Sequence, residues 1–482
     1  METKTITTVG DLKKHIAHIP SVREEMRTNL IRMLAAKKPL FEDIKGYDST
    51  VIPQIINALL CGHNIIFLGE RGQGKTRLIR NLITFLDSEI PAIAGCPIHD
   101  NPFAPVCSDC KSRLASDGDD LPLAWIPRNR RLVEKLATSD VSTADLIGEV
   151  DPIRIAQGRT LDDETAVHFG LVPRAHRGIF AINELPDLAE KIQVSLFNIM
   201  EERDLQIKGF PLRLPLDILL VATANPEDYT SRGRIITPLK DRFDTQIKTH
   251  YPSERDIEIE IMDQEARTIP GNDLPWHVPS FMKDILAEIT MQARSSPDIS
   301  QHSGVSCRVT IRSFEALLGS ALLRCLLLEE KKLVPRITDI EATFPAIMGK
   351  LELEYGGQDK KAAEIVEDLA KRAIKFVFDE RFSLEGLSSI VESFNDGIGA
   401  EVSQLIPSGE YMDGLHTIPG LRESVASLCN PEDPAEASSA IEFILEGLHL
   451  SNKLNRETQE GTRIYKEHTE SFEPVLKETI KL

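Results

Sequence analysis

The sequence predicts an α/β fold in which a parallel sheet is followed by a largely helical C-terminal part. Three short apolar runs, Asn64–Leu68, Gly178–Ile182 and Asp217–Ala224, have the length and composition of buried strands. Helical patterns separate these runs, and strands that alternate with helices form parallel βαβ units. After Tyr251 the strand patterns fade, and helical periodicity continues to Leu482.

The length of the chain predicts several domains, because 482 residues are too many for one compact core. Turn-forming residues and the change from strand to helical patterns suggest the boundaries. We expect a helical segment at 1–40, an α/β domain at 41–250 with an insertion at 96–110, a helical lid domain at 251–350 and a helical extension at 351–482.

The composition is that of an ordinary globular protein, with 41% hydrophobic and 27% charged residues. A net charge of −19 repels polyphosphate, which argues against tight nucleic-acid binding. Met1–Gly10 is polar and lacks the apolar region of a signal peptide. No apolar run approaches the roughly 18 residues of a membrane-spanning helix. We therefore expect a cytoplasmic protein without a membrane span.

A glycine-rich loop directly follows the first predicted strand and precedes the helical pattern Thr76–Leu86. Its residues, Gly69-Glu70-Arg71-Gly72-Gln73-Gly74-Lys75-Thr76, fit the phosphate-binding pattern G-x-x-x-x-G-K-[ST] in the required strand–loop–helix context. Backbone N–H groups of such a loop surround phosphate oxygens, and the helix N-terminus adds positive charge. Lys75 is expected to reach the β- and γ-phosphates and Thr76 to ligate Mg²⁺. The loop predicts ATP and Mg²⁺ as cofactors.

The second predicted strand ends in Asn183 and Glu184, where P-loop enzymes usually carry Asp-Glu. Glu184 is a candidate base for activating water. Asn183 can accept a hydrogen bond from metal-bound water but contributes no charge, so weaker Mg²⁺ binding is expected. The alternative is that Glu184 is a surface acid after an ordinary strand.

Three further polar residues are candidates for the same site. Asn225 follows the third predicted strand and can orient a water molecule, or it can form an Asx turn before Pro226. Arg242 precedes an extended stretch, and Arg308 opens a helix. Taken alone, both arginines have the pattern of solvent-exposed residues.

The order of motifs resembles that of the magnesium-chelatase ATPase subunits and the neighbouring MoxR-type AAA+ proteins. The resemblance extends over roughly Phe41 to Ser320. The motifs that carry it, in addition to the loop Gly69–Thr76, are Ala144–Asp151, Phe169–Leu188, Gln193–Arg203, Leu205–Pro215, Val221–Tyr229 and Pro238–Ile247.

This resemblance implies an AAA+ P-loop NTPase core, a helical lid and a hexameric ring. It implies an insertion in helix 2 near Gln157–Gly170 and a pre-sensor hairpin at Asp204–Leu214. It also implies roles for three polar residues: Asn225 as sensor 1, Arg242 as an arginine finger for the neighbouring subunit, and Arg308 as sensor 2. The chain departs from the family at Asn183 and in the helical sequence beyond Lys350.

The function expected from the resemblance is that of an ATP-hydrolysing motor that remodels or activates a partner protein. The partner class it suggests is a protein with a von Willebrand A-type domain. The alternatives are a true ATPase subunit of magnesium chelatase in chlorophyll synthesis, and a nucleotide-gated scaffold with little turnover.

A Pro- and Asp-rich segment between Cys96 and Pro127 is expected to be loop, and it contains three of the seven cysteines. Cys96, His99, Cys107 and Cys110 have the ligand types and short spacings of a structural zinc site. Without an export signal the cysteines should be reduced. The alternatives are three reduced cysteines beside an incidental histidine, and a site in which Cys61 is a ligand.

Overall fold

The computed structural model describes residues 6–150, 167–202, 204–207, 210–225, 235–267, 274–300, 303–353, 359–459, 461–468 and 478–481. The chain divides into two compact units, residues 1–250 and 251–482. Within the described residues, no helix combines the length and the apolar composition needed to cross a membrane.

The first unit contains short helices and strands in alternation. Its helices are α1 (Val9–His15), α2 (Val22–Ala35), α3 (Val51–Cys61), α4 (Lys75–Asn81), α5 (Ser108–Asp117), α6 (Thr143–Leu146), α7 (Leu171–Arg174), α8 (Glu190–Glu202) and α9 (Thr237–Asp241). Its strands are β1 (Ile65–Leu68), β2 (Glu89–Ile93), β3 (Leu123–Pro127), β4 (Leu132–Leu136), β5 (Gly148–Val150), β6 (Val167–Phe169), β7 (Gly178–Asn183), β8 (Asp204–Ile207), β9 (Phe210–Arg213), β10 (Ile218–Ala224) and β11 (Thr245–Lys248).

A five-stranded sheet with the order β11-β1-β10-β7-β4 forms the centre of this unit, and all its pairs are parallel. Successive side chains of β1 enter opposite apolar clusters, because strand side chains alternate between the two faces of a sheet. Ile65 and Phe67 belong to one cluster and Ile66 to the other, and all three are fully buried. The predicted parallel α/β sheet is therefore confirmed.

The N-terminal helix α2 is attached to this sheet by a buried ion pair. The guanidinium of Arg131 donates to both carboxylate oxygens of Glu25, at 2.7 and 2.6 Å. The backbone N–H of Val22 donates to Asp217 at 2.8 Å, at the start of the chain leading into β10. Helix α2, which lies in the segment predicted at 1–40, thus packs within the first unit.

The segment expected to be loop contains regular structure. Helix α5 lies in it, and β3 pairs with β2 in an antiparallel ribbon. Cys107 caps α5, since its sulfur accepts the backbone N–H of Cys110 at 3.4 Å. The Pro and Asp content that suggested loop is concentrated in the turns at either end of the helix.

The second unit is largely helical, as predicted. Its helices are α10 (Arg255–Glu265), α11 (Ser280–Ser295), α12 (Arg308–Leu327), α13 (Phe344–Met348), α14 (Asp359–Arg381), α15 (Ser388–Asn395), α16 (Tyr411–Thr417), α17 (Leu421–Ala426) and α18 (Pro434–Leu450). One apolar core includes residues from Met262 to Tyr465, so the residues expected as lid and as extension pack together.

This unit also carries a sheet that the sequence analysis did not predict. Strands β12 (Ile398–Val402), β13 (Leu454–Gln459), β14 (Thr462–Glu467) and β15 (Glu478–Lys481) lie in the order β13-β14-β12-β15. Their apolar pattern is weak because polar side chains are buried here. Arg463 is 8% exposed and Lys466 is 9% exposed.

Candidate nucleotide-binding site

The glycine-rich loop lies between β1 and α4, at the carboxyl end of β1. Gly72 and Gly74 have φ angles of 79° and 72°, which glycine adopts without steric cost. A Cβ on Gly69 would lie 2.0 Å from Oγ1 of Thr249 and 2.2 Å from Oε1 of Gln73, so a side chain here would displace the hydrogen bond between these two residues. Among the described residues, no heavy atom outside the adjoining backbone lies within 4 Å of the place where a Cβ of Gly74 would be.

Gln73 fixes the shape of this loop. Its Oε1 accepts the hydroxyl hydrogen of Thr249 at 2.6 Å and the backbone N–H of Glu70 at 3.1 Å. The hydroxyl of Tyr47 lies 2.7 Å from the Gln73 carbonyl oxygen and 2.8 Å from that of His250. Sequence reasoning missed Tyr47 and Thr249. Thr249 directly follows β11, and a polar residue after a strand is the pattern that identified Asn225.

Lys75 is buried, at 7% exposure, and its ammonium is fully engaged with oxygen atoms. It donates to the carbonyl oxygens of Gly69 and of Glu70, the latter at 2.9 Å. It also donates to Oδ1 of Asn225 at 2.6 Å. The three hydrogens of this ammonium thus join the loop to the residue that follows β10.

Asn225 connects Lys75 to Glu184. Its Nδ2 donates to Oε2 of Glu184 at 2.7 Å. Glu184 has left-handed backbone angles of φ 57° and ψ 51°, which cost a non-glycine residue about 1 kcal/mol. Its backbone N–H donates to Oγ1 of Thr223 at 2.9 Å, and this bond holds the turn after β7. Strained backbone of this kind is enriched at functional sites.

Thr76 and Asn183 lie together at the start of α4 and the end of β7. The hydroxyl of Thr76 donates to Oδ1 of Asn183 at 3.4 Å. Hydroxyl and amide oxygens are the hard ligands that Mg²⁺ accepts beside phosphate oxygens. The cation of Lys75, the open glycine loop and this oxygen pair therefore fit ATP with Mg²⁺.

The two candidate arginines lie in different units. Arg242 follows α9 in the first unit and is half-buried, with its guanidinium carbon 5.6 Å from the centre of the Phe197 ring. Arg308 is exposed at the first position of α12 in the second unit. Its backbone N–H donates to the hydroxyl of Ser306 at 3.1 Å. Their roles as finger and sensor 2 stay predictions.

The expected pre-sensor hairpin is present. Strands β8 and β9 pair antiparallel, from Asp204 opposite Arg213 to Ile207 opposite Phe210. Of the expected insertion at 157–170, residues 157–166 lie outside the described part of the chain. The remainder forms β6, which pairs antiparallel with β5.

The cysteines of the insertion form a second cluster, outside the loop that would hold phosphate. Cys96, Cys107 and Cys110 lie together, but the fourth member is Asp100 and not the predicted His99. His99 has a φ of 55°, and this turn of the backbone directs the next side chain, Asp100, into the cluster. Hydrogen bonds from the Cys107 and Cys110 thiols lower the pKa of the Cys96 thiol to about 2.

Comparison with known families identifies the domain. Residues 121–243 match the AAA domain (dynein-related subfamily). The match includes β7, β10 and Arg242 and begins after the glycine-rich loop, so the phosphate-binding motif is a separate observation. This chain contains an AAA domain and is similar to magnesium-chelatase ATPase subunits.

The relationship to individual magnesium-chelatase subunits is distant. Magnesium-chelatase subunit ChlI-1, chloroplastic, from Arabidopsis thaliana is 25% identical over 238 residues, 47% of this AAA+ chain and 51% of that protein. Magnesium-chelatase subunit ChlI, chloroplastic, from Nicotiana tabacum is 25% identical over 276 residues, 54% of this chain and 60% of that protein. The AAA+ chain thus spans about half the length of the curated relatives it matches.

Solved structures also show similarity to the AAA+ chain. A cryo-EM reconstruction of the complex between subunits BchI and BchD of magnesium chelatase has 20% identity, covers 72% of this chain and 97% of that chain, and has a TM-score of 0.31. NtrX from Brucella abortus has 14% identity, covers 66% of this chain and 59% of that chain, and has a TM-score of 0.36. Such TM-scores do not establish a shared overall structure.

Proposed function

We propose that this protein is an ATP-hydrolysing AAA+ motor that assembles into a ring and remodels a partner protein. The observation that carries the proposal is the hydrogen-bonded series Lys75–Asn225–Glu184 at the carboxyl edge of the parallel sheet. It joins a cation, an amide and a carboxylate from three chain segments, the combination that phosphoryl transfer to water requires.

Each residue has a distinct task in this proposal. Bound Mg·ATP supplies the phosphoryl group and the charge-neutralising metal. Lys75 binds phosphate oxygens, and the hydroxyl of Thr76 holds the metal, with Asn183 beside it. Glu184 takes a proton from the attacking water, and Asn225 keeps that carboxylate in place through its 2.7 Å hydrogen bond.

The ring and the partner are proposed from the resemblance to magnesium-chelatase ATPase subunits. Arg242 would complete the site of a neighbouring subunit, which makes the contact head-to-tail and closes a ring at a suitable rotation. Six subunits is the expected number for the family. The proposed partner carries a von Willebrand A-type domain, the class suggested by the resemblance to magnesium-chelatase ATPase subunits.

Asn183 favours a second candidate, a scaffold that binds nucleotide with little turnover. An amide beside Thr76 adds no negative charge near the metal, so slow hydrolysis is its expected consequence. A role in magnesium insertion is a further alternative, based on the names of the relatives, and it would leave the same ATPase chemistry to this chain.

A steady-state ATPase assay separates the motor from the scaffold. Wild-type turnover should fall strongly in Glu184→Gln, whereas Glu190→Gln, which removes an exposed acid at the start of α8, should keep it. Equal phosphate release by wild type and Glu184→Gln would contradict the motor.

A pull-down on Glu184→Gln rings with ATP, in which mass spectrometry identifies the bound proteins, tests the partner class. Enrichment of a partner without a von Willebrand A-type domain would contradict that part.

A further inference from the structure

The insertion between β2 and β3 contains a buried group of sulfur and oxygen atoms that the proposed ATPase does not use. Cys96, Cys107 and Cys110 are 7%, 4% and 0% exposed, and Asp100 is 0% exposed. One ligand atom from each of the four residues lies within 4.8 Å of the other three. All three cysteines are free thiols.

This spacing suits a tetrahedral zinc ion. Zinc binds sulfur at about 2.3 Å and carboxylate oxygen at about 2.0–2.2 Å, so ligand atoms around it are roughly 3.5–3.8 Å apart. Small side-chain movements bring the observed group to these distances. We infer that Cys96, Cys107, Cys110 and Asp100 form a structural zinc site. Four protein ligands leave no open position, so the ion would have no catalytic role.

The backbone around Cys107 and Cys110 is already arranged for ligation. Cys107 is the N-cap of the ten-residue helix α5, and its sulfur accepts the N–H of Cys110 at 3.4 Å. The C-x-x-C spacing places both sulfurs at the helix N-terminus, where the helix dipole stabilises thiolates. Metal ligation requires the thiolate form.

Asp100 is held in place by backbone donors. Its two oxygens accept the N–H groups of Asn101, Val106 and Cys107, each at 2.9 Å. These donors orient the carboxylate without supplying a formal positive charge. A buried carboxylate that has only neutral donors is costly, and a divalent cation would offset that cost.

An outer partner for Asp100 is also present. The imidazole of His176, with 3% of its side chain exposed, accepts the N–H of Asp217 on Nδ1 at 2.9 Å. In the neutral ring the hydrogen is therefore on Nε2, which has no hydrogen-bond partner among the described residues and lies 3.8 Å from Oδ1 of Asp100. At 3.8 Å the two groups are not hydrogen-bonded, but a small shift of either side chain would give the outer hydrogen bond that metal-ligating carboxylates usually accept.

A fixed cation lies beside the group as well. Arg177 is 3% exposed and donates to the carbonyl oxygens of Pro91 at 2.7 Å and His99 at 3.4 Å. Its charge offsets part of the negative charge that three thiolates and a carboxylate bring to one ion. The apolar cluster that contains these cysteines is shared with Val9, Phe169 and Leu214 from outside the insertion. A metal would therefore add a link within the insertion itself.

Metal analysis of the purified full-length chain tests the inference. After exchange into chelator-treated buffer, plasma mass spectrometry should find about one zinc ion per chain, and X-ray absorption should show three sulfur neighbours and one oxygen neighbour. Cys110→Ser should lose most of the zinc. Cys61→Ser, which removes an exposed cysteine, is the matched control and should keep it.

Two substitutions separate the proposed ligands from the histidine of the sequence pattern. His99→Ala should keep about one zinc ion per chain, whereas Asp100→Ala should lose it. Zinc loss in His99→Ala would overturn the ligand set.

Cobalt substitution in the wild type provides a measurement that does not depend on the folding of a variant. Three thiolate ligands give intense charge-transfer absorption. Metal-free wild-type protein that takes up neither zinc nor cobalt, or a disulfide between two of the three cysteines in freshly purified protein, would overturn the site.

Discussion

The ammonium of Lys75 donates a 2.6 Å hydrogen bond to the side-chain oxygen of Asn225, a residue 150 positions later in the chain. One residue begins α4 and the other follows β10. They meet because β1 and β10 are parallel neighbours, with Leu68 opposite Ala224, so both strands end at the same edge. Glu184, which follows β7, lies at the same edge. We therefore expect ATP turnover to depend on these three residues.

Lys75→Ala should weaken ATP binding by about 100-fold, because it removes a charge-assisted hydrogen bond to phosphate. Isothermal calorimetry with ATP and Mg²⁺ measures the change. Lys38→Ala, at an exposed position after α2, should bind like the wild type. An unchanged affinity in Lys75→Ala would show that the loop is not a nucleotide site.

Asn183→Asp should lower the Mg²⁺ concentration at half-maximal ATPase activity by up to about 10-fold, since it restores a negative charge beside the metal position. The measurement is a Mg²⁺ titration at constant free ATP. Asn395→Asp adds the same charge at an exposed position in the second unit and should leave the midpoint unchanged. A midpoint that stays or rises in Asn183→Asp would show that this side chain does not face the metal.

Arg242→Ala should keep ATP binding but lose hydrolysis by up to ~10³-fold, if this arginine completes the neighbouring site. Mixing Arg242→Ala chains with Glu184→Gln chains should recover part of the activity, because some interfaces then combine an intact Glu184 with an intact Arg242. Phosphate release in the mixtures is the measurement, and light scattering establishes that the chains co-assemble.

The control for this mixing experiment contains no intact Arg242. Arg242→Ala chains mixed with chains that carry both Arg242→Ala and Glu184→Gln should show no recovery. If the first mixture co-assembles and remains inactive as well, Arg242 acts within its own subunit or only on structure.

Glu446 should control the acid stability of the second unit. Its carboxylate is 2% exposed and accepts from Arg456 at 2.6 Å and from the Tyr465 hydroxyl at 2.5 Å, with Arg463 at 3.6 Å. Burial raises the pKa of this carboxyl. The cations of Arg463 and Arg456 and the hydrogen bond from Tyr465 outweigh burial, so the pKa lies below its ordinary value.

The sign of the pH effect follows from that lowered pKa. The unfolded chain binds the proton more readily, so the stabilisation is complete above the ordinary glutamate pKa of 4.5 and is lost as pH falls through the folded value. Glu446→Gln should lower the free energy of unfolding by about 3–5 kcal/mol at neutral pH, since it removes the buried negative charge that Arg463 and Arg456 face. It should also flatten the dependence of stability on acid pH. Guanidinium unfolding at a series of pH values measures the loss of stability and its pH dependence. Hydrogen exchange in β13 and β14 shows whether the loss is local to these strands.

Glu385→Gln is the matched control, because Glu385 is exposed in the same unit. Its unfolding free energy should follow that of the wild type across the acid range. A Glu446→Gln chain with wild-type stability at neutral pH would contradict a net stabilising role for the buried carboxylate.

The sequence by itself determined the parts of the site that lie within short segments. The spacing of Gly69, Gly74 and Lys75 predicts a phosphate loop because its backbone angles depend on local residues. The apolar runs that end in Asn183 and Asn225 predict buried parallel strands, since such strands are apolar on both faces. The sheet at β12 to β15 was not predictable in this way, because its buried polar side chains obscure the apolar pattern.

Only the tertiary structure decided which side chains meet. Gln73 is positioned by Thr249 and Tyr47, which are far from it in sequence. The position of Thr249 after a strand marks it as a candidate, but no local pattern shows that it or Tyr47 meets Gln73. Asp100, and not His99, lies with the three cysteines. The backbone turns at His99, where φ is positive, and the following side chain faces the cluster. Local sequence specifies backbone conformation over a few residues, whereas the meeting of distant side chains depends on how whole strands and turns pack.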